Sequence, residues 1–424
     1  MSVTKSTKET LQFMLDGIKY VCENFKKRGP GTESERNAQA FFKKELEKYA
    51  DSVEMEDFSL HPHAFMGFII IAASLTLLST VMFWLSPSSI VFPILGSVLT
   101  FFSVLMFAFE FMMYRSFVDF LFPKRVSRNV MARRAPKGEV KRRIIFGGHA
   151  DASPEWTYSV HGQLAALVPV IGGAIISMFF IFVVNTAAAI TIAVGNEIVF
   201  SGFWKVMGII SGITIPFIIS ILFFINWKVI VDGANDNLTA CYIAMGVLKE
   251  MQDADFRFEN TEVCCLIAGA EEAGLRGSKA YAKRHQKELK EIETVFISMD
   301  TMREIEQLQV YTQGCTGTVR DSEAVGDLLH EAGLNCGIEM PRAELYPGAV
   351  DAEGFSMYGI RSCGFCGVNH NPKTYYHTRY DTWDNISPEC IELSLDICLE
   401  AARLYDAKGG IESYEKNTKS NIFQ

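Results

Sequence analysis

The sequence predicts an α/β fold interrupted by two apolar hairpins, on three observations. Short apolar runs, "IIF" at residues 144–146 and "VCCLI" at 263–267, each end close to polar residues, with helix-periodic stretches between them. No Asp, Glu, Lys or Arg occurs at residues 58–109 or again at 156–196. Around these zones the chain is polar and charged. Its 424 residues leave room for two or three domains, and a net charge of -9 offers no basic footprint, so no nucleic acid is expected as a partner.

The uncharged zones hold four candidate spans. "AFMGFIIIAASLTLLSTVMFWL" (64–85) is long enough to cross a bilayer, for which about 20 apolar residues suffice. "SPSS" makes a turn, and "IVFPILGSVLTFFSVLMFAF" (90–109) crosses back. "LAALVPVIGGAIISMFFIFVV" (164–184) and "VMGIISGITIPFIISILFFINW" (206–227) form the second pair, with Pro216 as an expected kink. Core helices of a soluble protein rarely avoid every charge over such lengths. The lipid bilayer is therefore an expected partner, through four transmembrane helices in two hairpins.

Residues 1–50 do not read as a signal peptide. Leu11, Met14, Leu15, Ile18 and Val21 fall on one face of a helix. Ten basic residues, from Arg115 to Arg143, lie between the second and third spans, whereas the opposite loops hold only Lys205. The positive-inside rule then places the soluble parts in the cytoplasm, as those of a multi-pass cell-membrane protein. Ten cysteines fit a reducing compartment that asks for no disulfides. "CGFC" (363–366) has zinc-ribbon spacing without a second pair, and reads as two core thiols in a strand.

"GGHADASPEW" (147–156) puts His149 two residues before Asp151, just beyond an apolar strand. Alone, such a pair is an ordinary polar strand end. Other positions change the reading. Asp236 lies in "GANDN" at a helix start, where a carboxylate can also serve as a cap. Glu271 and Glu272 stand beyond the strand at 263–267, a strand at 293–300 ends on Asp300, and His377 sits in "YYHTRYDTWDNI" before a final amphipathic helix. In open α/β sheets ligands gather at the carboxyl ends of the strands, so these side chains can converge. Two histidines and three carboxylates can hold two zinc ions, one carboxylate bridging, and leave one glutamate unbound as a base.

The order "GGHAD", "GANDN", "AEEAGLRGS", "SMD" and "YHTRYDT" resembles the dizinc aminopeptidase family of metallopeptidases, whose relatives include carboxypeptidase-like enzymes, inactive receptors and glutaminyl cyclases. The resemblance covers about residues 8–60, 124–155 and 228–410. It implies a three-layer α-β-α fold with a mixed sheet of the zinc-peptidase type, and a peptide substrate. By position it makes Asp236 the bridging carboxylate between two co-catalytic Zn2+ ions. His149 and Asp300 complete one site, and Glu272 and His377 the other. Glu271 becomes the general base, and Asp151 hydrogen-bonds the His149 imidazole.

The expected organisation is a peptidase domain in three pieces (1–60, 114–155 and 228–410), hairpins at 61–113 and 156–227, and a polar tail at 411–424. The second hairpin replaces the short loop of soluble relatives, and "DASPEW" departs from the Ser or Thr that commonly follows the aspartate. The function expected is membrane-integrated aminopeptidase activity. A glutaminyl-cyclase-like acyltransferase and a catalytically inactive receptor or scaffold are the alternatives. Zinc content and hydrolysis of amino-acid anilides separate the three.

Overall fold

Strands that must bury both faces read as continuous apolar runs, and the centre of this fold is built from such runs. The computed structural model describes residues 5–314, 317–345, 348–369 and 375–415. Its first five strands are β1 (Ser52–Leu60), β2 (Arg125–Arg134), β3 (Arg142–His149), β4 (Pro154–Trp156) and β5 (Ile225–Ile230). Then follow β6 (Thr261–Ala268), β7 (Glu293–Met302), β8 (Gln309–Gly314), β9 (Arg342–Leu345) and β10 (Arg361–Gly367). Eight of them form one sheet in the order β1-β2-β6-β3-β7-β10-β8-β9, and β4 and β5 form a separate pair. The middle strands β6, β3, β7 and β10 run parallel. Antiparallel β2 and β1 close one side, and β8, antiparallel to β10, leads to the other edge. This mixed sheet with flanking helices is the expected α/β fold.

The helices are α1 (Lys8–Asn24), α2 (Glu33–Leu46), α3 (Ala64–Trp84), α4 (Val91–Met106), α5 (Thr157–Ala193) and α6 (Gly202–Ile221). After these come α7 (Thr239–Asp253), α8 (Arg276–Arg284), α9 (Gln286–Glu291), α10 (Glu323–Asn335), α11 (Asp351–Ser356) and α12 (Pro388–Ala407). The chain divides into two units. One comprises Met1–Pro62, Lys124–Glu155 and Lys228–Gln424, and the other His63–Pro123 and Trp156–Trp227. The first insertion thus runs ten residues past its expected end at 113.

In the first unit α1 begins where the Thr7 hydroxyl accepts from the Thr10 amide, an ordinary N-cap. Met14, Ile18 and Val21 are buried on its inner face, while Leu11 and Leu15 pack on the rim of the same core. Helix α7 is buried along almost its whole length and lies directly on β3. Gly148 permits this contact, because a Cβ there would stand 2.7 Å from the Ala240 Cβ and 3.1 Å from the Cys241 amide nitrogen. Cys363 and Cys366 are buried in β10, and the nine described cysteines are free thiols. Strand β7 continues two residues past the expected end at Asp300, with a register shift against Cys366 and Gly367. Of the tail expected from residue 411, Ile411 and Tyr414 are buried in the core, and residues 416–424 lie outside the described ones.

The second unit contains four helices long and apolar enough to cross a membrane: Ala64–Trp84, Val91–Met112, Ala165–Ala193 and Gly202–Ile221. Two boundaries differ from expectation. Helix α5 is continuous from Thr157, well before the expected span at 164–184, and runs on through Pro169. The fourth span ends at Ile221 rather than 227, since the apolar run from Ile225 is strand β5, which pairs with β4. Small polar side chains join the helices. The Asn185 amide donates to the Ser79 carbonyl and hydroxyl at 3.1 Å each, and the Ser79 hydroxyl donates to the Gly96 carbonyl at 2.6 Å.

Candidate metal centre

The carboxyl ends of β3, β6 and β7 and the loop after β10 carry the polar residues singled out above. His149 is the last residue of β3. Asp236 lies in the irregular turn between β5 and α7 and caps no helix; its carboxylate faces two imidazoles instead. That turn depends on Gly233 at φ +60°, where a Cβ would meet the Asp236 carbonyl at 2.6 Å. Glu271 and Glu272 follow β6, Asp300 is in β7, and His377 sits in a turn at φ +53°.

These side chains come together. The Asp236 Oδ1 is 3.2 Å from the His149 Nε2, and its Oδ2 is 2.9 Å from the His377 Nε2. Asp300 lies 3.7 Å and Glu271 3.8 Å from the same His149 nitrogen, and Glu272 lies 3.2 Å from the His377 Nε2. Three overlapping groups have donor atoms within 4.8 Å of one another and could hold a metal: His149, Asp236 and Asp300; Asp236, Glu272 and His377; and His149, Glu271 and Glu272. Asp236 belongs to the first two, between the histidines.

Asp151 stands differently from expectation. Its carboxylate is 3.4 Å from the His149 Nδ1, but the hydrogen bond to that nitrogen is made by the Asp151 main-chain carbonyl at 3.1 Å. The carboxylate itself accepts from the main-chain amides of Glu271 and Glu272, at 3.1 Å each. It thereby aims the glutamate pair as well as lying beside the histidine.

Electrostatics show what the donor set lacks. Burial disfavours the charged imidazole of His149, yet Asp151, Asp236 and Asp300 hold it protonated well above its ordinary range. His377 is likewise opposed by burial but is raised to about 10 by Glu272 and Asp236. Asp236, despite burial, is lowered by the two histidines. Burial raises Glu271, Glu272 and Asp300, and neighbouring carboxylates add to it. Four carboxylates, Asp236 and Glu272 buried and Glu271 and Asp300 partly so, thus draw positive charge onto two imidazoles. Among the described residues, the buried His149 Nε2 and Glu272 Oε1 face Asp236 and His377 at 3.2 Å but make no well-aligned hydrogen bond. Buried charges are paired or coordinate metals, and this nitrogen- and oxygen-rich set suits zinc.

Three further residues escaped the sequence reading. Asp381, fully buried, accepts from the Asn235 main-chain amide at 2.7 Å, the Asn235 side-chain amide at 2.8 Å and the Asp236 amide at 3.1 Å, so it fixes the turn that presents Asp236. The Tyr376 ring stacks on His377 with centroids 4.1 Å apart, and burial together with the four central carboxylates raises its phenol. Both belong to the "YYHTRYD" stretch, where a closer look at His377's neighbours could have found them. Asp351 opens α11 and is raised to about 7, first by burial and then by Asp151 and Asp300. No local pattern marks it.

Residues 220–402 match the sequence profile of Peptidase family M28. No curated protein matches the chain. The fold is similar to that of an aminopeptidase from Aneurinibacillus sp. strain AM-1, at 14% identity and a TM-score of 0.55, covering 94% of each chain. A Zn-dependent exopeptidase from Parabacteroides distasonis is similar at 12% identity and a TM-score of 0.54, over 95% of this chain and 99% of that one. A glutaminyl cyclase from an Acidobacteriales bacterium is similar at 14% identity and a TM-score of 0.53, over 95% and 97%.

Proposed function

We propose that this chain is a membrane-integrated, two-zinc aminopeptidase of the M28 kind. The observation that carries the reading is Asp236, one carboxylate with an oxygen toward each of two histidines, 3.2 Å and 2.9 Å away. His149 and Asp300 would hold one zinc, Glu272 and His377 the other, with Asp236 between them. Zinc held there polarises a peptide carbonyl and lowers the pKa of water toward about 7.

Within that frame the protein's own groups have separable tasks. Glu271, assigned to neither zinc, takes a proton from the attacking water at its carboxylate and returns it to the leaving amine. Burial lifts it above the usual carboxylate range, the direction that a base working near neutral pH requires. Asp151 holds Glu271 and Glu272 through their main-chain amides, so base and ligand keep their separate aims. The Tyr376 ring stacks on His377, and burial with the central carboxylates keeps its phenol protonated beside the centre.

The four apolar helices support insertion in a bilayer, as do the outward-facing Ile176, Val183, Phe203 and Phe223. Strand β1 precedes the first insertion and β2 follows it, and they pair from Ser52↔Arg133 to Leu60↔Arg125. The first insertion must therefore return the chain to the side it left, as a helical hairpin does. The basic residues between the insertions favour the cytoplasmic face.

A second reading, cyclisation of an N-terminal glutamine, is favoured by the likeness to glutaminyl cyclases and by Asp351, an additional buried acid raised to about 7. The deciding experiment offers the purified chain aminoacyl amides, dipeptides and an N-terminal glutaminyl peptide, with and without a zinc chelator. Chelator-sensitive release of N-terminal residues supports the aminopeptidase. Loss of ammonia from the glutaminyl peptide alone supports the cyclase, and no turnover of any substrate contradicts both.

A further inference from the structure

The loop that carries His377 is held at a point outside the metal centre. Glu155 lies in β4 and is 2% exposed, whereas Arg379, two residues past His377, is half exposed. The guanidinium meets the carboxylate as a fork, with its Nε donating to Oε2 at 2.6 Å and its Nη2 to Oε1 at 2.7 Å. The Arg379 main-chain amide adds a longer bond of 3.3 Å to the same Oε2. A buried carboxylate is costly unless paired and hydrogen-bonded, so Glu155 and Arg379 hold each other in one geometry.

The rest of the loop shows why such a clamp matters. His377 adopts φ +53°, a left-handed conformation uncommon outside glycine, although histidine tolerates it better than most residues, and the surroundings help to hold it there. Thr378 closes a turn back onto the Tyr375 carbonyl through its amide and its hydroxyl, both at 3.0 Å. Four residues past the histidine, Asp381 fastens the loop to Asn235 and Asp236. Glu155 fastens it between these points, to a strand that begins three residues after Asp151.

The geometry points to Glu155 and Arg379 as a positioning pair that sets the His377 imidazole, and with it the affinity of the zinc site shared by Asp236, Glu272 and His377. The inference rests on the two-zinc reading and adds that one site depends on a salt bridge which touches no metal. Partners that orient a metal-bound histidine are typically worth 10- to 100-fold in metal affinity. Lysine in place of Arg379 keeps the charge but cannot make the fork.

The test is a titration of the full chain in detergent with buffered free zinc, resolving the two binding events, with thermal midpoints measured in parallel. Arg379→Lys is expected to weaken one event by 10- to 100-fold and leave the other at its wild-type value. Because an unpaired buried carboxylate could itself unfold the protein, the double variant Glu155→Gln/Arg379→Gln removes both charges. It is expected to recover the wild-type midpoint while one zinc event stays weak. Equal weakening of both events, no weakening, or full recovery of zinc binding in the double variant would overturn the pair's positioning role. A wild-type chain that binds fewer than two zinc ions would instead fail the two-zinc reading, before any variant is compared.

Discussion

Gly148→Ala probes how the fold sets the spacing of the centre. The glycine lies one residue before His149, and helix α7, which follows the Asp236 turn, rests against it. An alanine Cβ there would be 2.7 Å from the Ala240 Cβ, 3.1 Å from the Cys241 nitrogen and 3.2 Å from the Ala240 carbonyl carbon. Two of these atoms are main chain, so the helix must move rather than a flexible side chain. Overpacking of this kind costs about 1–3 kcal/mol. Replacing a strand glycine returns roughly 0.5–1 kcal/mol of backbone entropy, which leaves a net loss of up to about 2.5 kcal/mol. The displacement also acts on the 3.2 Å contact of His149 with Asp236, so zinc affinity should fall along with the thermal midpoint. Gly172→Ala, inside α5 where a Cβ meets nothing within 4 Å, is the control: it should leave zinc affinity unchanged and should not lower the midpoint. The assay is thermal denaturation with a zinc titration, both in detergent. A Gly148→Ala protein indistinguishable from wild type in midpoint and affinity would refute the seating of α7 on β3.

Glu271→Gln should retain both zinc ions yet turn over 10²- to 10⁴-fold more slowly, the usual worth of general acid–base assistance, while Glu272→Ala should lose zinc from one site. Metal analysis beside initial rates checks this, and wild-type rates for Glu271→Gln would remove the assigned role. Glu35 gives a pH dependence. It is fully buried and raised to about 8, first by burial and then by the Asp151 charge, against hydrogen bonds from Ser127, Gly31 and Ala270. Between its ordinary value near 4.5 and about 8, the folded chain keeps a proton that the unfolded chain has lost. Its contribution is therefore complete at low pH and declines as pH rises through that window, by at most about 1.4 kcal/mol per unit. Denaturation midpoints from pH 5.5 to 8.5 should fall less steeply in Glu35→Gln than in wild type; identical slopes would show that Glu35 does not retain its proton.

The parts of the molecule legible in the sequence are those where one local pattern has one physical outcome. Strands β3, β6 and β7 are apolar on both faces and have polar ends, so their runs and the residues beyond them could be read together. Met14, Ile18 and Val21 marked the buried face of α1 because helix periodicity and burial coincide there. Hydropathy could not separate helix from strand at Ile225–Ile230, since that choice is made by pairing with β4. Nor could it reveal Asp381 or the bond between Glu155 and Arg379, which joins residues 224 positions apart. Their roles arise from packing between distant segments. The carboxylate of Asp151 illustrates the same limit, because the amides it accepts from belong to a turn 120 residues later.

The measurement that bears most directly on the account is anomalous diffraction at the zinc edge from crystals of the full chain. Two peaks are expected, roughly 3.5–4 Å apart as in other two-metal sites, with Asp236 between them. His149 and Asp300 should flank one peak, and Glu272 and His377 the other. A single peak, or zinc bound away from Asp236, would contradict the two-zinc centre on which the proposed activity rests.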